Sequence, residues 1–205
     1  MKLISGPASP FGRKARVMVM ETELESKVEV LLIPPGQIAV QSMPHNPLGK
    51  VPVLIRDDGT PLYDSPVICE YLDSLHASAK FFPPGGEARW ITLRLQALGD
   101  GIAETVGAIG AEMSRPEPSR NTPAIAAHTA RFARALDYVD NHLEEISGPP
   151  DVGALAIACG LGYADFRDIR PDWRRQRPHL AKWFEKFSQR DSMQRTLYRR
   201  PDATR

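Results

Sequence analysis

The sequence predicts a chain of two textures, an α/β half followed by an all-helical half. Three observations carry that reading. Residues 1 to about 80 alternate short, β-branched apolar runs with helical patterns. The run Phe82-Pro83-Pro84-Gly85-Gly86 then breaks any regular structure. Beyond it, apolar residues recur at three- and four-residue steps over long stretches. The expected division is an α/β domain over 1–80, a linker over 81–86 and a helical domain over 87–205.

In the first half, Lys2-Leu3-Ile4-Ser5 reads as a strand, and Val17, Met20 and Leu24 mark a helix over 11–24. Val28 to Ile33 is β-branched and apolar, as expected of a buried strand, and Pro34-Pro35-Gly36 ends it. Val53-Leu54-Ile55-Arg56, the turn Asp57-Asp58-Gly59 and Pro61-Leu62-Tyr63 form a hairpin pattern. A helix over 65–76 follows, its apolar face predicted as Val67, Ile68, Tyr71, Leu72 and Leu75. The order is a βαβ unit joined to a hairpin and a covering helix.

In the second half, Ile91, Leu95, Leu98, Ile102, Val106 and Ile109 stripe one long helix over 87–114. Thr122 followed by Pro123 reads as a cap and first helical residue, before a stripe of Phe132, Leu136, Val139, Leu143 and Ile146. Two shorter helices are expected near 152–163 and 178–189. The Arg-rich tail after Pro201 reads as frayed.

Composition excludes several classes of function. The 205 residues are 42% hydrophobic and 25% charged with a formal net charge of +1, so no overall field favours nucleic acid or an anionic membrane. No apolar run approaches the roughly 20 residues that span a bilayer, and the N-terminal apolar stretch is too short for a signal peptide. Cys69 and Cys159 sit far apart inside apolar helical patterns, as buried free thiols of a reducing compartment do. The expected location is the cytoplasm.

Three segments have chemistry as well as structure in them. In Ser9-Pro10-Phe11-Gly12-Arg13-Lys14, serine is a good N-cap, proline suits the first helical position, and the two cations read as surface charges. A helix N-terminus also favours an anion, and a hydroxyl there can donate to a thiolate. In Asn46-Pro47-Leu48-Gly49-Lys50-Val51-Pro52-Val53-Leu54, proline before a strand is ordinary. A cis bond there would turn the Val51 N–H and C=O outward, where an extended peptide-like ligand could pair with them. In Tyr63-Asp64-Ser65-Pro66, Asp64 or Ser65 serves as a cap; the alternative is recognition of an α-amino-acid group, Asp64 taking the ammonium and Ser65 the carboxylate.

Together and in order, these segments resemble the glutathione S-transferase superfamily across almost the whole chain. Ala97-Leu98-Gly99-Asp100-Gly101-Ile102 and Ala156-Ile157-Ala158-Cys159-Gly160-Leu161-Gly162-Tyr163 extend the resemblance to bacterial members. It implies a thioredoxin-like N-terminal domain, an all-helical C-terminal bundle and a homodimer. It implies glutathione as co-substrate, a small hydrophobic electrophile as second substrate, no metal, no nucleic acid and no membrane. Ser9 matches the residue that contacts the glutathione sulfur. Phe11 falls in the same motif, as a glutathione-binding position. Val51, before a cis-Pro52, matches the residue that pairs with the cysteinyl backbone. Asp64 and Ser65 match the pair that holds the γ-glutamyl end. Lys50 and Gln37 are weaker candidates for the glycyl carboxylate, and Asp100 for the γ-glutamyl amine bound by a partner subunit.

Departures narrow the chemistry. Ser9 stands where thiol–disulfide exchanging relatives carry cysteine, so no mixed disulfide forms there, and no tyrosine precedes Tyr63 to act as thiolate contact. Asp151-Val152-Gly153-Ala154 is half a capping box, with Gly153 expected to weaken the helix start. The implied activity is attack of a stabilised glutathione thiolate on an electrophile. The alternatives are a peroxidase or lyase on the same site, or a non-catalytic interaction module. For the module, the cations Arg170, Arg174, Arg175, Arg177, Arg199 and Arg200 form either a docking patch or a solvated face interleaved with Asp165, Asp168, Asp172 and Asp191.

Overall fold

A computed structural model of the chain describes residues 1–198, so the tail expected to fray after Pro201, and Arg199 and Arg200, lie outside it. The described residues fall into two compact units, 1–83 with 190–198, and 84–189.

The first unit opens with β1 (Lys2–Ser5), α1 (Pro10–Glu21) and β2 (Glu29–Leu32). Then come α2 (Ile38–Ser42), β3 (Val53–Ile55), β4 (Pro61–Leu62) and α3 (Ser65–Ser74). The strands form one sheet in the order β2-β1-β3-β4. β1 runs parallel to β2, Leu3 opposite Val30, and antiparallel to β3, Leu3 opposite Leu54. The predicted hairpin closes with Leu54 opposite Leu62, and Gly59 takes φ 83° in its turn. Leu3, Val53, Leu54, Ile68 and Leu72 are wholly buried.

Two expectations change here. β2 is an edge strand, and Val30 and Leu32 are 38% and 46% exposed, so its apolar run does not mark a strand buried on both faces. On α3 the buried apolar residues are Ile68, Cys69 and Leu72, while Val67 and Leu75 of the predicted apolar face are exposed.

The first unit also contains α9 (Asp191–Arg195), so residues 190–198 do not extend the helical half but return to α1. Arg13 donates from Nη2 to the Met193 carbonyl at 2.9 Å, and its guanidinium lies 4.6 Å from the Tyr198 ring centroid. Arg13 and Lys14 are 3% and 1% exposed, which overturns their reading as surface charges. At the other end of α1, the Glu21 carboxylate accepts from Nε and Nη2 of Arg190 and from the Ser192 hydroxyl. Burial pushes the Glu21 carboxyl up, but these hydrogen bonds and the Arg190 charge outweigh it and hold it below the ordinary value of 4.5. A carboxyl lowered by folding stabilises the native state above its unfolded pKa, and that stabilisation is lost as pH falls through the folded value. Glu21→Gln is therefore expected to cost about 1–2 kcal/mol at pH 7. Denaturant melts of both proteins should show that gap closing as pH falls below about 4.5. A gap independent of pH would remove the charge from the account.

The second unit is helical: α4 (Gly86–Met113), α5 (Thr122–Asn141), α6 (Val152–Phe166), α7 (Trp173–Gln176) and α8 (Pro178–Ser188). α5 is capped one residue earlier than predicted: Asn121 Oδ1 accepts from the Ala124 N–H at 3.0 Å. α6 is buried along almost its whole length and packs against α4. Asp151 caps it, accepting from the Ala154 N–H at 2.8 Å, and its second carboxylate oxygen accepts from the Thr92 hydroxyl of α4 at 2.7 Å. Thr92 thus anchors the capping carboxylate from the neighbouring helix. Gly153 is a packing requirement as well: a Cβ there would lie 2.9 Å from the Thr92 carbonyl oxygen and 2.7 Å from Leu95 Cβ.

Three members of the basic cluster are paired. Arg174 meets Asp165 at 2.5 Å, Arg170 meets Asp172 at 3.2 Å, and Arg177, 6% exposed, meets Asp137 at 2.7 Å. Cys69 and Cys159 are buried thiols not joined in a disulfide. Among the described residues no helix is long and apolar enough to cross a membrane.

Candidate functional site

The end of β1 and the start of α1 place Ser9. As N-cap of a 12-residue helix it takes an extended backbone (φ −84°, ψ 121°), and its Oγ accepts from the Gly12 N–H at 3.0 Å. Pro10 follows at the first helical position and gives up no hydrogen bond there. One lone pair of the Ser9 hydroxyl is thus committed to the helix. Its O–H has no acceptor among the described residues and remains able to donate. Ser9 and Phe11 are both half-buried.

Gly6 shows how close the next element comes. A Cβ at Gly6 would lie 3.5 Å from Ser9 Cβ, 3.6 Å from Val51 Cγ2 and 3.1 Å from Ile38 Cδ1. The fold thus gathers Ser9, at the helix start, and Val51, 42 positions later in sequence, around one glycine. Ile38 is a neighbour that sequence reasoning missed. Its segment has no extended periodicity, and α2 is too short to give one. Ile38 and Val51 both pack on the cluster of Ile4, Ile33 and Val53.

The Val51–Pro52 peptide bond is cis. Pro52 is buried, Val51 is half-buried and Lys50 is exposed. Neither the N–H nor the C=O of Val51 has a hydrogen-bond partner among the described residues. The site therefore presents a donor and an acceptor on one residue, the pairing unit of a β-strand edge.

Asp64 and Ser65 begin α3, and Asp64 is joined to Tyr63 by a second cis peptide bond. Asp64 occupies the N-cap position by its backbone, but its exposed carboxylate makes no capping hydrogen bond. Among the described residues neither that carboxylate nor the Ser65 hydroxyl has a partner, although Ser65 is only 2% exposed. The purely structural use of this pair as side-chain caps is therefore not what the chain adopts. A carboxylate, a hydroxyl and the unpaired first amides of α3 instead stand together, a set able to take both a cation and an anion.

The weaker candidates are placed less tellingly. Gln37 is exposed, and its Oε1 accepts from Gln41 Nε2 at 2.8 Å. Asp100 lies half-buried on α4 in the second unit. Among the described residues no group of three or more His, Cys, Asp or Glu is arranged to hold a metal ion.

The sheet with its flanking helices, the helical unit and these N-terminal features define a glutathione S-transferase fold, and comparison with known proteins agrees. The family model for the glutathione S-transferase N-terminal domain matches residues 8–75, and that for the C-terminal domain matches residues 122–186. The chain belongs to the glutathione S-transferase family. It is 31% identical over 199 residues to the uncharacterized GST-like protein YibF of Escherichia coli (strain K12), covering 96% of this chain and 98% of YibF. A glutathione transferase family member from Pseudomonas fluorescens Pf-5, solved with bound glutathione, superposes with a TM-score of 0.92 at 35% identity, covering 97% of this chain and 99% of that one. A glutathione S-transferase from Methylobacillus flagellatus KT, solved with glutathione bound, gives a TM-score of 0.87 at 33% identity, covering 95% and 98%.

Proposed function

We propose that this protein is a glutathione transferase in which Ser9 donates its O–H to the glutathione thiolate and so supplies the nucleophile that attacks a small hydrophobic electrophile. The observation that carries this reading is the state of Ser9. Its oxygen is tied to Gly12 N–H while its proton is uncommitted, at the positive end of α1 and beside Val51. Val51 would pair with the cysteinyl backbone through its unpaired N–H and C=O. Ser65 and the first amides of α3 would take the γ-glutamyl carboxylate, and Asp64 its ammonium. Lys50 and Gln37 would serve the glycyl carboxylate from exposed positions. The two glutathione-bound relatives support the same ligand here. Catalysis on this reading is thiolate supply plus proximity, with no covalent enzyme intermediate.

The test is calorimetric titration with glutathione beside a Ser65→Ala variant. Saturable binding is expected for the unsubstituted protein, weakened about tenfold or more when a buried hydroxyl facing the carboxylate is removed. No heat of binding from the unsubstituted protein would sink the transferase reading.

We also read the protein as a cytoplasmic homodimer. Trp90 on α4 supports the assembly, being a large apolar side chain 63% exposed that a second copy would cover.

A further inference from the structure

Asn46 is a polar residue that the sequence motif contains but that no role above uses. It is 2% exposed, and both ends of its side-chain amide are engaged within five residues of chain. Nδ2 donates to the Lys50 carbonyl at 3.0 Å, and Oδ1 accepts from the Leu48 N–H at 3.0 Å. Its backbone is tied as well, the N–H to the Ser42 carbonyl at 2.7 Å and the C=O to the Gly49 N–H at 2.8 Å. Gly49 takes φ 62°, the left-handed conformation that lets the chain turn back onto Asn46. The tip of this loop faces solvent, with Leu48 69% exposed. The asparagine is therefore buried beneath an exposed loop as a staple.

What the staple holds decides its meaning. The Lys50 carbonyl and the Val51 N–H belong to one planar peptide group, so fixing the oxygen fixes the direction of the N–H on the opposite side. A hydrogen bond into the carbonyl also polarises the group and strengthens the N–H as a donor. That N–H is one of the two backbone groups of Val51 with no partner among the described residues. We infer that Asn46 is a positioning residue for backbone recognition, holding the Lys50–Val51 peptide so that Val51 pairs with an extended peptide backbone. Resting on the function proposed above, this makes Asn46 a determinant of glutathione affinity and not of thiolate chemistry. It acts on the ligand's peptide groups, so glutathione and S-methylglutathione depend on it equally.

The experiment titrates the unsubstituted protein, Asn46→Asp and Asn46→Ala with glutathione and with S-methylglutathione, and measures the thiol pKa of bound glutathione by ultraviolet difference. Asn46→Asp keeps the acceptor for Leu48 but turns a carboxylate oxygen towards the Lys50 carbonyl. Both ligands are expected to bind it at least tenfold more weakly, at unchanged stoichiometry and with unchanged thiol pKa. A general loss of structure would instead lower the stoichiometry, and if Asn46→Ala does not fold, Asn46→Asp and Asn46→Ser, each checked by circular dichroism, replace it. Affinities within twofold of the unsubstituted protein would overturn the inference while leaving the transferase reading intact. A shifted thiol pKa would overturn it too, by showing a defect of the whole site. No binding by the unsubstituted protein would overturn both.

Discussion

Replacing Gly99 with alanine is expected to destabilise the helical unit by about 3 kcal/mol or more, a large fraction of the stability of an ordinary domain. Gly99 lies on α4 where α6 crosses it. A Cβ there would stand 2.4 Å from the Ala156 carbonyl carbon and the Ile157 nitrogen, and 2.7 Å from Ala156 Cβ. Two of those three atoms are backbone, so no side-chain rotation relieves the clash and the two helices must part. Gly160 on α6 makes the reciprocal approach, its own Cβ position lying 2.9 Å from the Gly99 carbonyl oxygen. Separating the helices also uncovers α6, in which Leu155, Ile157, Ala158 and Leu161 are wholly buried. The roughly 1 kcal/mol that alanine gains over glycine in helix propensity does not offset this. Gly101, two residues along the same helix, provides the control, because a Cβ there meets nothing within 4 Å. Gly101→Ala should be neutral or stabilising by up to about 1 kcal/mol. Urea melts decide the matter, and equal midpoints for the two variants would show that the α4–α6 contact is looser than described.

On the function proposed above, Ser9→Ala is expected to raise the thiol pKa of bound glutathione by about one to two units. A charge-assisted hydrogen bond contributes roughly 1.5–3 kcal/mol, and each pKa unit corresponds to about 1.4 kcal/mol. At neutral pH the conjugation rate should fall about ten- to a hundredfold through loss of thiolate, and recover as pH is raised through the new pKa. The substitution also removes the α1 cap, at a cost of about 1 kcal/mol of stability. Because Gly12 N–H donates to Oγ and the hydroxyl proton is separate, the two losses can be told apart. A stability loss without a pKa change would leave Ser9 as a cap only, with the helix amides as the thiolate donor.

Much of the candidate site was legible in the chain because its groups are local. Ser9-Pro10 and Asp64-Ser65-Pro66 announce helix starts by side-chain chemistry acting over three residues, and both helices begin there. What local rules could not decide was which hydroxyl or carboxylate caps and which is left over. The structure separates them: Ser9 caps α1, whereas Asp64 makes no side-chain capping bond to α3. Asn46 is the converse case. An Asn-Pro pair is legible as a turn, but that the asparagine is buried and holds the peptide before Val51 is not.

By itself the sequence determined the order of the main elements, though not the short helices α2, α7 and α9, together with the hairpin, the long striped helices and the motif set that marks the family. All of these rest on hydrogen bonds and apolar spacing within a turn or two of chain. Only the tertiary structure decided that β2 lies at a sheet edge with Val30 and Leu32 exposed, and that Arg13 and Lys14 are buried. It also decided that α9 returns to α1, and that Thr92 of α4 anchors the Asp151 carboxylate that caps α6. Each of these joins residues far apart in sequence. Periodicity and capping rules describe what a segment does along its own axis, and they carry no information about which distant surface will remove a side chain from water.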